Sequence, residues 1–272
     1  MIDLISYKKS IEDLFIKNNI DRAEVNILFC EVLNCDITGL FAKTKLSMAQ
    51  QNKIDVAVKK RLEGMPIQKI FKRAYFYNNV FFVNNNVLCP RPETELLVEE
   101  ALKYVSKTSK VLDLCTGSGA IAITLGLQTK ANITASDISP KALLVAKKNA
   151  KNLGANINFV CSDMFDGIKQ KFNVIVSNPP YIPSDDIKNL DVEVKNFDPI
   201  ISLDGGADGL DFYKIIAQNA KKYLLPFGKI LLEVGAGEAQ SVKNLLLQNG
   251  FDCYIKKDYN KIDRIVVGEL LW

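Results

Sequence analysis

Val111-Leu112-Asp113-Leu114-Cys115-Thr116-Gly117-Ser118-Gly119-Ala120-Ile121-Ala122 passes from an apolar run into a glycine turn and then into residues of helical character. Strand, turn and helix in that order form the opening unit of a doubly wound sheet. The glycines of G-x-G-x-x-A permit a tight turn and a close backbone approach to a ligand at the helix N-terminus. Downstream the alternation continues. NITASD (132–137), INFVC (157–161), FNVIVS (172–177) and KILLEV (229–234) read as strands, with helices at 139–153 and near 238–249. Residues 251–257 and 262–268 look like two further strands around a turn at 258–261. The expected fold class is α/β, a Rossmann-like, doubly wound and mostly parallel sheet.

Upstream of this region, residues 1–73 read as a small N-terminal helical bundle, with apolar residues at helical spacing in Ile11, Leu14 and Phe15 and again in Val25, Leu28, Phe29 and Val32. Asp21 is placed to cap the second helix, and Glu24 three residues on to complete a capping box. Residues 74–90 are aromatic and β-branched, broken by asparagines, and suggest a β-hairpin linking two domains. The larger domain, 91–272, opens with a helix. Pro92 suits its first position, and Glu93 and Glu95 the positive end of its dipole. For Arg91 and Glu93 a place in the ligand pocket is an alternative to this helix-start role.

Composition narrows the chemistry. With 272 residues and 48% hydrophobic content the chain can bury a large core, and a net charge of +4 falls short of the basic stripe that grips duplex DNA by its phosphates. There is no histidine, which removes Ser-His and Cys-His nucleophilic mechanisms and histidine metal sites. The six cysteines lack a C-x-x-C pair and read as reduced thiols of a cytoplasmic protein. No apolar run approaches the roughly 20 residues of a membrane span, and MIDLISYKKS lacks the apolar stretch of a signal peptide.

Asp137 ends the next strand, eighteen residues after Gly119, where a carboxylate can accept hydrogen bonds from both ribose hydroxyls of an adenosine cofactor. Capping the helix that follows would be its other role. The turn and Asp137 together indicate an adenosine-containing ligand without separating a nicotinamide dinucleotide from S-adenosylmethionine. Ser162-Asp163-Met164-Phe165 lies beyond the third strand; Asp163 could take the adenine amino group while Met164 and Phe165 pack on the ring. A polar loop residue followed by two core residues is the plainer alternative.

Asn178-Pro179-Pro180-Tyr181 directly follows FNVIVS, and it is the most specific signal in the chain. Two prolines stiffen the loop and remove donors, leaving carbonyls free to accept. An amide nitrogen is a poor nucleophile because its lone pair is delocalised into the carbonyl. The Asn178 side-chain oxygen and the Pro179 carbonyl, each accepting one N–H, could aim the developing lone pair at a methyl donor, with Tyr181 stacked on the planar acceptor. A sulfonium donor is already activated, so no metal is expected. A proline-rich turn without chemistry is the alternative.

At these residues the chain resembles the class I S-adenosylmethionine-dependent methyltransferases, and within them the HemK/PrmC enzymes that methylate release factors. The resemblance covers nearly the whole sequence and is carried by DRAE (21–24), PRPETE (90–95), LDLCTGSGAIAI (112–123), SNPPYIP (177–183) and LDGGADGLDFY (203–213). N-P-P-Y is shared with DNA adenine methyltransferases, whereas PRPETE and DGGADGL are characteristic of the release-factor group. The resemblance implies S-adenosyl-L-methionine as cofactor and S-adenosyl-L-homocysteine as product. It implies methylation of the glutamine in the Gly-Gly-Gln motif of class I peptide chain release factors, and an N-terminal domain that helps grip them. Cys115, Thr116, Gly117, Ser118, Gly119, Asp137, Asp163, Met164, Phe165 and Asn178 would hold the cofactor. Asn178, Pro179, Pro180 and Tyr181 would bind the glutamine, and Asn178, Pro179 and Tyr181 would carry catalysis. The chain departs from the family pattern at Cys115 and Lys72, where glycine is usual, and at Met164, where an aromatic is common.

A DNA adenine or rRNA guanine amino-methyltransferase would use the same loop on a conjugated amine, but the chain has no large target-recognition segment, and nucleic acid is not required. A dinucleotide-dependent oxidoreductase would account for the glycine turn and Asp137 but not for N-P-P-Y. Neither a membrane association nor an oligomer is expected.

Overall fold

The structure, a computed structural model, describes residues 2–271. By internal contacts the chain divides into two units. One runs up to Lys72 and includes Val192–Phe197; the other holds Arg73–Asp191 and the chain from Asp198 onward.

The first unit contains β1 (Ile2–Asp3), α1 (Leu4–Lys17), α2 (Ala23–Leu33), α3 (Ile37–Phe41), β2 (Lys45–Leu46), α4 (Met48–Leu62) and α5 (Ile67–Phe71). Ile11 and Phe15 of α1 and Val25, Leu28 and Phe29 of α2 recur at three- and four-residue spacing, and all are buried with Leu40 and Ile54 in one cluster. Ser47 and Gln50 form a reciprocal capping box at α4. The start of α2 departs from expectation. Asp21 accepts the Ala23 amide at 2.8 Å, two residues on, while Arg22 occupies the cap position without a side-chain cap bond. Glu24 is drawn away from the cap by a stronger partner. It takes the buried Arg61 guanidinium in a two-pronged contact, Nε to Oε2 at 2.5 Å and Nη2 to Oε1 at 3.0 Å.

Arg61 also pairs with Glu193, and Lys69 Nζ donates to the Phe197 carbonyl at 2.9 Å. The short helix Val192–Phe197 therefore belongs to this unit, although it lies more than a hundred residues downstream of the segment read as a bundle. Lys72 ends α5 with φ 56°. This is the left-handed region that favours glycine, and it accounts for the glycine usual at that position.

In the second unit the chain forms β3 (Arg73–Phe76), β4 (Asn79–Phe82), α6 (Pro92–Leu102), β5 (Lys110–Leu114), α7 (Ala120–Thr129), β6 (Asn132–Asp137), α8 (Pro140–Leu153), β7 (Ile157–Cys161) and β8 (Phe172–Ser177). After α9, the helix Val192–Phe197 of the first unit, come α10 (Asp211–Tyr223), β9 (Leu224–Glu233), α11 (Ala239–Gln248), β10 (Phe251–Lys257) and β11 (Asp263–Leu270). Seven strands make the main sheet in the order β10-β11-β9-β8-β5-β6-β7. The five from β9 to β7 are parallel, while β11 runs antiparallel to both β9 and β10. This is the class I methyltransferase fold, as the sequence led us to expect.

Strand β5 is central, so both its faces are buried, and apart from Asp113 its buried residues are apolar on both faces rather than alternating. Val111 faces a core with Leu97 and Ile123, and Leu112 faces the opposite core with Tyr213 and Leu246. Helix α8 is capped at both ends, with the Ser139 hydroxyl accepting the Ala142 amide at 3.2 Å and Gly154 closing it at φ 70°. The β3–β4 hairpin turns through Tyr77 and Asn78, both at positive φ, the geometry that matches strand twist.

Candidate active site

From β5 the chain runs β6 and β7 to one side and β8 and β9 to the other, so the sheet order reverses beside β5. Such a switch point opens a crevice at the strands' carboxyl ends. A cavity of about 690 Å3 lies there.

The glycine turn is locked from beneath. Asp113 is fully buried, and its Oδ2 accepts the Thr116 hydroxyl at 2.6 Å and the Ala122 amide at 3.2 Å. Burial pushes its pKa up to about 7. The Thr116 amide donates to the Ser136 carbonyl at 2.9 Å, tying the turn to β6. Cys115 has φ 58°, again the conformation that glycine adopts freely, so the chain bears a small local strain at this position. At Gly119, φ 82°, a Cβ would meet Ile123 at 2.8 Å and Ala146 at 3.2 Å, which would force α7 and α8 apart.

Asp137 bridges two amides, Oδ2 accepting from Gly117 at 2.8 Å and Oδ1 from Ser139 at 2.9 Å. Burial raises its pKa. Ser139, not Asp137, caps α8. Each Asp137 oxygen keeps a lone pair for a further donor, so the carboxylate suits a pair of ribose hydroxyls. At the end of β7 the Ser162 hydroxyl donates to the Met164 carbonyl at 3.0 Å and accepts the Gly167 amide at 2.8 Å. Met164 takes φ 41° there, and its sulfur lies 3.9 Å from that of Cys115.

At the end of β8, Ser177 Oγ donates to the Leu114 carbonyl at 2.8 Å. Asn178 Nδ2 donates to Thr94 Oγ1 of α6 at 3.2 Å. The loop beyond is braced by the glycine-rich segment after Leu203. The Ile182 amide donates to the Leu203 carbonyl at 2.9 Å, the Gly205 amide to Ile182 at 2.8 Å and the Ser184 amide to Gly206 at 2.9 Å. A Cβ at Gly205 would lie 2.8 Å from the Tyr181 backbone, so the segment's lack of side chains is what lets it lie flat against the loop.

Of the residues expected at the site, Cys115, Gly117, Asp137, Asp163, Met164, Asn178 and Pro180 line the cavity. Thr116, Ser118 and Gly119 shape the turn from behind. Tyr181 packs its ring against Gly235, where a Cβ would come within 3.0 Å, and burial followed by the nearby Glu233 pushes its hydroxyl up to about 12. Pro179 is buried beside it. Phe165 requires a correction. It stacks on Tyr223 with centroids 4.7 Å apart and joins the core against α10, while Met164, bent to φ 41° in the turn after β7, takes the cavity. Neither Arg91 nor Glu93 lines the cavity; Arg91 pairs with Asp198 at 3.2 Å. Sequence reasoning missed Ile138, Leu88 and Phe212, which add apolar wall. Ile138 was legible in principle, since it follows the acidic strand end and is exposed.

Fold and site together define the class: this is a methyltransferase of the S-adenosylmethionine-dependent class I fold. Similar solved structures include a methyltransferase from Pyrococcus furiosus (TM-score 0.54, 16% identity, 70% of this chain and 87% of that one). Another is the 16S rRNA N2 G1207 methyltransferase of T. thermophilus (TM-score 0.52, 18% identity, 72% of this chain and 49% of that one). These show the fold alone. More narrowly, residues 9–71 match the PrmC N-terminal domain and residues 91–194 the methyltransferase small domain. The release factor glutamine methyltransferase of Thermodesulfovibrio yellowstonii is 40% identical over 94% of this chain and 95% of its own. That of Geobacter sulfurreducens is 37% identical over 92% and 89%. The chain belongs to the release factor glutamine methyltransferase family.

Proposed function

We propose that this chain transfers the methyl group of S-adenosyl-L-methionine to the side-chain amide nitrogen of the Gly-Gly-Gln glutamine in class I peptide chain release factors. The observation that carries the reading is the placement of Asn178. It stands on the cavity wall that also presents Gly117 and Asp137, with its Nδ2 occupied by Thr94, so that its Oδ1 is the atom left to accept from an incoming N–H. The bound cofactor supplies a sulfonium-activated methyl group.

The protein's own part is to hold and aim. Gly117 and the Asp137 carboxylate fit the ribose, and Met164, Ile138 and Asp163 fit the adenine. Asn178 Oδ1 and the Pro179 carbonyl each accept one N–H of the glutamine amide, turning its nitrogen out of conjugation and toward the methyl group. Positioning of this kind is worth ~7–11 kcal/mol of barrier. The N-terminal unit serves to recognise the release factor. The protein acts as a monomer in the cytoplasm, with no metal. Among the described residues no helix is long and apolar enough to cross a membrane.

The test is transfer of labelled methyl from S-adenosylmethionine to a purified release factor, beside a factor whose Gly-Gly-Gln glutamine is replaced by alanine, with DNA and rRNA in parallel. Label on the intact factor alone is the expected result. Label on nucleic acid with the factor untouched would discard the acceptor while keeping the class.

A further inference from the structure

Glu233 ends β9, one residue beyond Leu232, which pairs with Ser177 of β8. It therefore lies beside Asn178, the first residue after the neighbouring strand. Its side chain is buried, 4% exposed, and its Oε2 has no hydrogen-bond partner among the described residues. A carboxyl in such a place gives up its solvation without a partner to replace it. Packing alone would be better served by a leucine. The neighbouring side chains that favour its charged form are Thr94 and Asn178, which are themselves joined by the Asn178 Nδ2-to-Thr94 bond.

We propose that Glu233 is a positioning residue that sets which way round the Asn178 amide stands, by acting as an acceptor-only terminus for Thr94 and Asn178. The inference rests on the methyl-transfer reading above. A threonine hydroxyl can donate or accept, so Asn178 and Thr94 by themselves permit two arrangements. In one, Asn178 Nδ2 donates to Thr94 and Oδ1 is left for the substrate. In the other, Thr94 donates to Asn178 Oδ1, and the amide presents its NH2 to the acceptor nitrogen, which would be repelled. A carboxylate has no proton to give. It can only accept, from the Thr94 O–H and an Asn178 N–H, and that leaves only the first arrangement. The observed Nδ2-to-Thr94 bond of 3.2 Å is that arrangement. Protonated, Glu233 becomes a donor and the constraint is lost.

Burial pushes this carboxyl up to about 7, opposed by Thr94, Arg264 of β11 and Asn178 and reinforced by Glu93 of α6. Tyr213 of α10 donates to the Glu233 backbone carbonyl at 2.7 Å, and Tyr181 lies close by. Methyl transfer should therefore rise with pH through the neutral range. Asp113 and Glu238 are held near 7 as well, so a pH profile alone does not assign the group.

The deciding variant is Glu233→Gln, which keeps shape but can donate. Expected are a kcat lower by about 100-fold, a KM for S-adenosylmethionine near wild type and a flattened pH profile. Thr94→Ser should retain activity and Thr94→Val should resemble Glu233→Gln. A readout without any acceptor comes from nuclear magnetic resonance. The Asn178 side-chain NH2 signal, assigned by its loss in Asn178→Asp, should titrate near neutral pH in the wild type and not in Glu233→Gln. If the wild type methylates nothing on release factors, the functional reading fails while this signal still tests Glu233. Wild-type kcat and pH profile in Glu233→Gln, or an Asn178 signal with the same titration in both proteins, would overturn the proposal. A loss of thermal stability alone, with kcat and profile intact, would leave Glu233 a packing residue and overturn it equally.

Discussion

The amide of Gly117 donates to Asp137 Oδ2 at 2.8 Å, so the carboxylate suited to the ribose also anchors the glycine turn. Two requirements of cofactor binding, the acidic strand end and the shape of the turn, thus depend on one side chain. Asp137→Ala should weaken S-adenosylhomocysteine binding by on the order of 100-fold, since charge-assisted hydrogen bonds contribute about 1.5–3 kcal/mol each. Asp137→Asn keeps one accepting oxygen and should lose about tenfold. Titration calorimetry measures both, and equal affinities in the two variants would separate the anchor from the ribose contact.

Asn178→Ala should leave cofactor affinity within about twofold and abolish measurable turnover, because Asn178 acts on the acceptor rather than on the donor. Turnover equal to wild type would remove Asn178 from the mechanism.

Asn149 reaches from α8 to two places at once. Its Nδ2 donates to the Phe82 carbonyl at 3.0 Å and to the Ser118 carbonyl at 2.9 Å, while Oδ1 accepts the Phe82 amide at 2.7 Å. The β-hairpin and the glycine turn share this one buried residue. Asn149→Leu should lower unfolding free energy by about 2–3 kcal/mol in urea melts, and weaken cofactor binding although Asn149 touches no cofactor atom. Unchanged stability would mean that the three bonds are replaced without cost.

Gly209 has φ 76°, and a Cβ there would lie 2.4 Å from the Tyr181 carbonyl oxygen. Gly209→Ala must push the Asn178–Tyr181 loop aside. The expected outcome is a fall in kcat of about 100-fold with cofactor affinity retained, since a displacement of about 1 Å at the acceptor suffices for that. A variant with intact kcat would show that the loop adjusts.

Stability should fall as pH rises across the weakly acidic range. Asp113 is held near 7 by burial, whereas an unfolded aspartate has released its proton by about pH 4. Between these values the native state binds more protons than the unfolded chain, so raising pH favours unfolding. Glu233 and Glu238, also near 7, add in the same direction. Asp113→Asn keeps an oxygen for Thr116 and Ala122, and should show a shallower fall in Tm from about pH 5 to 7.5. An identical slope in the variant would refute the assignment to Asp113.

Features written in neighbouring residues are legible from the sequence alone. The glycine turn, the acidic strand end at Asp137 and the stiff loop at Asn178–Tyr181 each depend on local backbone preference, and their order along the chain places them on one sheet edge. The departures at Cys115 and Lys72 find a local explanation too, since both adopt the left-handed conformation that made glycine usual there. Phe165 escapes such a reading because the turn after β7 does not announce which of two adjacent apolar side chains faces the cavity. Glu24 resembles a cap residue in sequence, yet its partner Arg61 lies 37 residues away.

Fold class, family and the motifs that meet at the cavity follow from the order of residues in the chain. Backbone preference, alternation and motif order are properties of short stretches, and each is satisfied within a few residues. Tertiary packing alone settles that Thr94 holds Asn178, that Asn149 joins Phe82 to Ser118, that Val192–Phe197 belongs with the first unit and that Glu233 is buried beside the loop. Each of these joins residues far apart in the chain. Their geometry is set by the packing of whole helices and strands, which no local pattern contains.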